Sequence, residues 1–375
     1  MAKKKDFTFD DLNTELANLN PLGSVMNQSN FSEVTEWIHT GNYHLNACVS
    51  GSLFKGWPNN RSCSVAGPSG TGKTFLTLNS VREAIKMGYS VIYYDSEAAV
   101  DKDQMDKFGI DTSKVNYQPM NTVQDFRTSI TTITQKMQEI KRKGGEVPKL
   151  MIILDSAGNL ATQKEIDDAA SGSEKSDMTR SKILKSIFRI IMTPLADLKI
   201  PFIFTNHTYR TQDFISRQVA GGGTGPEYAA SIVLMLNKAQ LKDSGEKVGI
   251  IVTAKPDKNR FAKPHPIKFH LNFTEGMNPY VGLENYVSWD TCGITKGVIE
   301  KGKKIPKATA RNWICKHLDE TVPNREFFTE KVFTQEVLEI IDAEIQPLFN
   351  YNTEADSADI EQMLNETNET NSDLE

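Results

Sequence analysis

The feature that most constrains this chain is a glycine-rich octapeptide between a short β-prone segment and an amphipathic helical segment. The octapeptide consists of Gly67, Pro68, Ser69, Gly70, Thr71, Gly72, Lys73 and Thr74. Apolar residues recur behind it at helical spacing, so the sequence predicts the order strand, loop, helix. In that order the glycines let successive N–H groups face one anion, Lys73 reaches the β- and γ-phosphates, and the Thr74 hydroxyl holds Mg²⁺. A nucleoside triphosphate is the expected ligand; the alternative is a turn that matches by chance.

Composition and charge are those of an ordinary globular protein. The chain has 375 residues, of which 38% are hydrophobic and 24% are charged, and this length suggests two or three folding units. No apolar run is long enough to span a bilayer, so we expect a cytoplasmic protein without a membrane partner. The cysteines lack metal-type spacing, which predicts reduced structural thiols at Cys48, Cys63, Cys292 and Cys315.

The chain divides into four stretches that differ in their hydrophobic pattern and charge. Residues 1–40 predict an N-terminal arm or oligomerisation module, 41–275 an α/β core, 276–352 a small C-terminal domain and 353–375 a disordered tail. The tail holds eight acidic residues and no Lys or Arg, so residues 1–352 carry a net charge of +3 although the whole chain carries −5. In the C-terminal domain we expect helices at 283–289, 308–318 and 334–345.

The core alternates β-type runs with helical stretches. Runs at 90–94, 150–154, 201–205, 231–236, 248–254 and 267–273 predict strands, and the stretches 123–141 and 178–195 predict helices. This alternation is typical of a mainly parallel sheet covered by helices on both faces. Ligand groups collect beyond the carboxyl ends of the strands in such sheets, so the residues that follow each run are the candidates for chemistry.

Carboxylates follow two of these runs. Asp155 ends a fully apolar run, where it can orient Mg²⁺ or a water of its shell. Glu97 follows the run at 90–94 and can accept a proton from an attacking water. The alternative for Asp155 is a common strand-end turn, and for Asp95 or Glu97 it is a cap on the segment that follows.

Several motifs together resemble one family. GPSGTGKT, YDSE, LDSAGNL, SDMTRSKILKSIFRI, FTNHTY and GGGTGPEY occur in the order found in the RecA superfamily of strand-exchange recombinases, with most similarity to the phage UvsX class. The resemblance covers roughly 41–290. It implies a RecA-like P-loop NTPase core, ATP and Mg²⁺ as cofactors, and a helical homo-oligomer with ATP at the protomer interface.

The resemblance also implies roles for single residues. Glu97 would activate water, and Asp155, followed by Ser156, would serve the metal. His207 would sense the γ-phosphate and signal to a DNA-binding loop, although a histidine at a strand end can also be purely structural. Lys258 and Arg260 would reach the nucleotide of a neighbouring protomer; the alternative is a solvated basic edge strand.

Asp101 matches the family residue that contacts adenine. Gln104 stands where relatives carry an aromatic residue, which leaves the base preference open.

Two polar segments, about 158–176 and 208–226, match the family's loops for single-stranded DNA. Their candidate DNA-binding residues, with the helix that follows the first loop, are Arg180, Lys182, Arg210, Phe214, Arg217, Gly221, Gly222 and Gly223. Long polar loops within a compact sheet protein are usually functional, cations neutralise phosphates, and an apolar side chain can stack between bases. The alternative is a mobile lid that does not bind DNA. The Lys-rich segment 296–311 either gathers duplex DNA or forms a solvated face.

The expected function is that of a DNA-dependent ATPase that forms a filament on single-stranded DNA, pairs it with homologous duplex DNA and exchanges strands. Expected partners are both DNA forms, further copies of the chain, a single-stranded-DNA-binding protein and a loading mediator. If a phage encodes the chain, the compartment is the host cytoplasm. Two alternatives remain open at this point: a hexameric helicase-type motor on the same core, and an ATP-gated DNA-binding or loading factor with little turnover.

Overall fold

The computed structural model describes residues 7–172, 179–210, 218–220, 225–318 and 320–351. Its helices are α1 (Phe9–Leu19), α2 (Tyr43–Ser50), α3 (Lys73–Lys86), α4 (Lys102–Lys107), α5 (Val123–Arg142), α6 (Gln163–Ala170), α7 (Arg180–Asp197), α8 (Gly225–Ala229) and α9 (Gln335–Phe349). Its strands are β1 (Trp37–Ile38), β2 (Trp57–Pro58), β3 (Ser62–Gly67), β4 (Ser90–Asp95), β5 (Val115–Pro119), β6 (Leu150–Asp155), β7 (Phe202–Arg210), β8 (Gln218–Ala220), β9 (Ile232–Asp243), β10 (Glu246–Asn259), β11 (Ile267–Asn272), β12 (Ile294–Glu300), β13 (Lys303–Pro306), β14 (Asn312–Cys315) and β15 (Thr321–Pro323).

The central sheet has the strand order β11, β10, β9, β3, β7, β6, β4, β5, and β8 pairs with β7. The strands from β9 to β5 in this order are parallel, which confirms the predicted α/β class with a mainly parallel sheet. Strands β10 and β11 are antiparallel. A two-residue turn causes the first reversal, because Ser244 and Gly245 both adopt left-handed φ values, 50° and 91°, as tight hairpins require.

Helices cover both faces of the sheet, because successive residues of a strand point to opposite sides. On β4, Tyr93 belongs to the layer under α3, whereas Tyr94 belongs to the layer under α5 and α7. Both tyrosines are fully buried. The first layer is the larger and continues into the C-terminal region, where it includes Trp313 and Cys315.

The C-terminal region contains a four-stranded antiparallel sheet in the order β13, β12, β14, β15, followed by α9. The helix expected at 334–345 is confirmed by α9, but the other two expectations are wrong. Residues 283–289 contain only a 3-10 turn, and 308–318 contains strand β14. Tertiary packing overrides helical spacing there, because Trp313 on β14 is buried and stacks on Phe327 at 3.9 Å between ring centroids.

The N-terminal arm touches the core through its second half. Helix α1 buries none of its residues, whereas the backbone carbonyls of Ser32 and Glu33 accept hydrogen bonds from Arg61 and Asn60, both at 2.7 Å. The oligomerisation role of residues 1–40 stays a prediction, and the acidic stretch 353–375 lies outside the described residues. All four cysteines are buried and unbridged. Among the described helices, none combines the length and the apolar character that crossing a membrane requires.

Candidate nucleotide and nucleic-acid site

The glycine-rich octapeptide forms a loop between β3 and the start of α3, as the sequence predicts. Gly70 and Gly72 have φ values of 70° and 88°, a region that favours glycine. Gly67 is required for a different reason, since a Cβ there would lie 2.6 Å from the carbonyl oxygen of Leu236. Glycine is therefore favoured at three positions of this loop, and the loop leads directly into the first N–H groups of α3, which have no partner within the helix.

The ammonium group of Lys73 lies within this loop. Its Nζ donates to the carbonyl oxygens of Gly67 at 2.9 Å and Pro68 at 3.1 Å. Burial lowers the pKa of Lys73, and the negative charges of Glu97 and Asp155 oppose that shift. A terminal phosphate entering the loop would offer this cation a stronger acceptor than two neutral carbonyls.

Asp155 lies at the end of β6, opposite the first turn of α3, and is only 1% exposed. Its carboxylate accepts hydrogen bonds from the hydroxyls of Thr74 at 2.7 Å, Tyr93 at 2.9 Å and Thr205. Burial raises the pKa of Asp155, and these hydrogen bonds oppose the shift. A hydroxyl and a carboxylate side by side at a phosphate loop are the oxygen donors that Mg²⁺ prefers, so Thr74 and Asp155 fit the predicted metal role.

His207 joins the predicted base to the loop lysine. Its Nε2 lies 2.6 Å from Oε1 of Glu97, and its Nδ1 lies 3.4 Å from Nζ of Lys73. An ammonium has only hydrogen bonds to donate, so Nδ1 accepts from it and Nε2–H donates to the carboxylate. Burial alone would raise the pKa of Glu97, but its hydrogen bonds and the charge of Lys73 outweigh burial and lower it.

The neighbouring Asp95 is the structural member of the pair of acids. Its carboxylate accepts from the backbone N–H groups of Glu97 at 2.9 Å and Ala99 at 3.1 Å, and from the Tyr117 hydroxyl at 2.9 Å. Asp95 therefore holds the turn that aims Glu97 at His207. The capping role considered for this pair applies to Asp95 and not to the carboxylate of Glu97.

Asp101 is the N-cap of α4, where its side chain accepts from the Gln104 N–H at 2.7 Å. It lines a cavity of about 320 Å³ with Met105, Val115 and Tyr117 among the other walls. Its contact with a nucleotide base stays a prediction.

Lys238 also contacts the phosphate loop, although the sequence did not indicate it as a site residue. Its Nζ donates to the carbonyl oxygen of Ser69 at 2.8 Å. The available signal was a cation two residues beyond the apolar end of a strand, but only the pairing of β9 with β3 shows that this strand borders the phosphate loop.

Lys258 and Arg260 lie near the opposite end of the strands from the phosphate loop. Asn259 between them pairs with Ile232, and Ile232 pairs with Cys63 near the start of β3, whereas the loop follows the end of that strand. Lys258 donates to the carbonyl oxygen of Tyr228 at 2.8 Å. The pairing thus places both cations at the far end of the strands from the phosphate loop of their own protomer, and their contact with a neighbour's nucleotide stays a prediction.

The two predicted DNA loops contain more regular structure than expected. Helix α6 lies within 158–176, β8 lies within 208–226, and α8 begins at the end of that second segment. Thr208 pairs with Ala220 and Arg210 with Gln218, so β7 continues from His207 directly into an antiparallel pairing with β8.

Only some of the candidate DNA-binding residues can be placed. Arg180 starts α7 and donates to the carbonyl oxygen of Gly158 at 3.0 Å, while Lys182 is exposed on the same helix. The backbone of Arg210 lies in β7 and pairs with Gln218, and its side chain lies outside the described part of the chain. Phe214, Arg217, Gly221, Gly222 and Gly223 lie outside the described residues.

Comparison with known proteins agrees with this geometry. Residues 14–278 match the model of the RecA N-terminal domain. The chain is 32% identical over 279 residues to the recombination and repair protein of Enterobacteria phage T4, covering 73% of this chain and 69% of that protein. It is 27% identical over 285 residues to the protein RecA of Streptomyces rimosus, covering 74% and 70%. With its phosphate loop, strand-end carboxylates and matching N-terminal domain, the chain belongs to the RecA family.

Proposed function

We propose that this chain is an ATP-dependent DNA recombinase that assembles on single-stranded DNA, pairs it with homologous duplex DNA and exchanges the strands. The observation that carries the proposal is the position of His207. This side chain contacts both Lys73 and Glu97, and its strand ends three residues later at Arg210, where it pairs with β8. The similarity to the T4 recombination and repair protein supports the same conclusion.

Hydrolysis of ATP would use the residues at the strand ends. The loop N–H groups and Lys73 bind and orient the phosphates, and Glu97 accepts a proton from the attacking water. Bound Mg²⁺ would neutralise charge on the phosphate oxygens, held by Thr74 and Asp155. The lowered pKa of Glu97 keeps its carboxylate in the proton-accepting form throughout the neutral range.

Nucleotide and DNA would communicate through His207. A γ-phosphate that attracts Lys73 would remove the hydrogen-bond donor facing Nδ1, so the imidazole would keep its contact with Glu97 and lose the one with Lys73. Because His207 is part of β7, this change would reach the residues of β7 that pair with β8, 208–210, along one strand. Binding free energies are reciprocal, so ATP and single-stranded DNA should strengthen each other's binding by the same factor.

Assembly would complete the site. Lys258 and Arg260 lie on the edge of the sheet that faces away from the phosphate loop, which suits a head-to-tail contact in which one protomer's loop meets the next protomer's cations. Cations supplied in this way are worth about 10³ to 10⁵ in rate. The nucleotide would then be hydrolysed at protomer interfaces of a helical homo-oligomer.

The deciding experiment is strand exchange between a labelled single strand and its homologous duplex with ATP and Mg²⁺, with a heterologous duplex as the control. We expect exchange with the homologous duplex only, and none by the Lys73→Ala variant. Failure of the wild-type chain to exchange strands would overturn the proposal. Closed hexamers by electron microscopy would instead indicate a ring motor, and ATP-dependent DNA binding without turnover would indicate a loading factor.

A further inference from the structure

The carboxylate of Asp155 accepts side-chain hydrogen bonds from both neighbouring strands, β4 and β7, as well as from α3. The phenol of Tyr93 on β4 donates to Oδ2 at 2.9 Å, and the hydroxyl of Thr205 on β7 donates to Oδ1. Tyr93 and Thr205 are fully buried, at 0% exposure. Neither residue is among the candidate site residues that the sequence indicates, and they act on a carboxylate 62 and 50 residues away along the chain.

The two hydroxyls are placed as hydrogen-bond donors to this carboxylate. A carboxylate oxygen only accepts hydrogen bonds, so the Tyr93 phenol is the donor in its contact with Asp155. Thr77 Oγ1, 3.4 Å from this phenol, donates its own proton to the carbonyl oxygen of Thr74 at 2.8 Å. The phenol is thus directed at Asp155 from a pocket next to the first turn of α3.

A buried strand does not need these hydroxyls for its packing. A phenylalanine fills nearly the same volume as tyrosine, and valine nearly the same volume as threonine, without a polar group that must be satisfied. What the hydroxyls add is a fixed orientation of the carboxylate, since each oxygen of Asp155 has a donor from a different strand. Thr74 Oγ1, 2.7 Å from Oδ2, belongs to the same arrangement.

We propose that Tyr93 and Thr205 are positioning residues for magnesium, which lock the carboxylate of Asp155 beside Thr74 in the orientation that a phosphate-bound Mg²⁺ requires. The inference rests on the proposed binding of ATP with Mg²⁺. Outer groups that orient a metal-binding carboxylate typically change metal affinity by about 10- to 100-fold when removed. Removing either hydroxyl should therefore raise the Mg²⁺ concentration that nucleotide binding requires, without changing the affinity for the nucleotide in the absence of metal.

The same arrangement would connect the magnesium site to β7, the strand that leads to the second predicted DNA loop. Thr205 and His207 are two residues apart on β7, so their side chains lie on the same side of that strand. Asp155 therefore holds β7 at the point from which His207 extends towards Glu97. Weakening the Thr205 contact should affect both the Mg²⁺ requirement and the nucleotide dependence of DNA binding, whereas Tyr93 should affect mainly the first.

The test is equilibrium binding of a fluorescent non-hydrolysable ATP analogue to the full chain, titrated with Mg²⁺ and repeated in EDTA. The variants are Tyr93→Phe and Thr205→Val, with Thr205→Ser as the rescue. Tyr94→Phe is the matched control, because it removes a hydroxyl from the adjacent residue of the same strand on the other face, where the partner is Ser129 at 2.8 Å. Circular dichroism melts of each variant report folding.

For Tyr93→Phe and Thr205→Val we expect the half-saturating Mg²⁺ concentration to rise by about 10-fold or more, with binding in EDTA changed less than about twofold. Tyr94→Phe and Thr205→Ser should resemble the wild type. An unchanged Mg²⁺ titration in both variants would overturn the proposal, as would an equal loss of binding in EDTA, which would mark a structural role. A wild-type chain that needs Mg²⁺ for the analogue but exchanges no strands would refute the proposed function alone.

Discussion

Nε2 of His207 lies 2.6 Å from Oε1 of Glu97, although the strands that lead to these residues are not neighbours in the sheet. Strand β6 lies between β7 and β4, and the two side chains meet above its carboxyl end. A contact across an intervening strand can change without breaking the sheet, because no backbone ladder holds it. This is a suitable place for a group that must respond to a ligand.

Glu97→Gln should remove hydrolysis while preserving binding. The amide cannot accept a proton from water, and general bases contribute about 10²- to 10⁴-fold to rates. We expect the DNA-stimulated ATPase rate to fall by that factor and the affinity for an ATP analogue to stay within about threefold. Glu139→Gln is the control, since Glu139 is an exposed residue of α5 that forms an ion pair with Lys143, just beyond the end of the helix. Full ATPase activity in Glu97→Gln would exclude Glu97 as the base.

His207→Gln and His207→Ala should differ in coupling. A glutamine amide can both accept from Lys73 and donate to Glu97, whereas alanine can do neither. We expect the ratio of single-stranded-DNA affinities with and without an ATP analogue to stay above one in His207→Gln and to approach one in His207→Ala. Fluorescence anisotropy of a labelled oligonucleotide measures this ratio. The same ratio in the wild type and His207→Ala would show that the signal takes another path.

Mixed assemblies should reveal catalysis in trans. Lys258→Ala and Lys73→Ala should each be inactive alone, because one lacks the cation offered to a neighbour and the other lacks its own phosphate lysine. In an equal mixture, roughly one interface in four combines an intact loop with intact cations if protomers assemble at random, so the ATPase activity should recover to about that share. Lys255→Ala, at an exposed cation on the same strand, is the control. A mixture as inactive as its parts would contradict the shared site.

Acid should destabilise the fold through two histidines, the buried His44 and the half-buried His39. Burial lowers the pKa of His39 and of His44 from 6.5 to about 4, so the unfolded chain takes up protons there before the folded chain does. The contribution of each neutral histidine to the free energy of unfolding is therefore complete above pH 6.5. It decreases as the pH drops towards 4, by at most about 3 kcal/mol for each histidine. Thermal melts from pH 7.5 to 5 measure the slope.

The matched variants for this prediction are His39→Gln and His317→Gln. A glutamine at 39 can still accept the hydrogen bond from the Gly41 N–H, which is 2.9 Å long in the wild type, but cannot be protonated. We expect a shallower pH slope for His39→Gln and the wild-type slope for the variant at exposed His317. Equal slopes in the wild type and His39→Gln would refute the assignment to His39.

The sequence determined the parts whose chemistry depends on fixed local spacing. The phosphate loop, Asp155 at the end of β6 and Glu97 after β4 were readable because neighbours in the chain create each environment. The mainly parallel sheet followed from the alternation of runs. The helix expected around β14 failed because burial of Trp313 against Phe327 outweighs local periodicity.

Tertiary structure decided everything that depends on strand order. The pairing of β9 with β3 brought Lys238 to Ser69. The register of β10 on β9 placed Lys258 and Arg260 at the other end of the strands from the phosphate loop. The contacts of His207 with Glu97 and of Tyr93 and Thr205 with Asp155 arise between residues 50 to 110 positions apart. Such contacts are set by which strands pair, and pairing is chosen by burial of whole faces and not by any local pattern of residues.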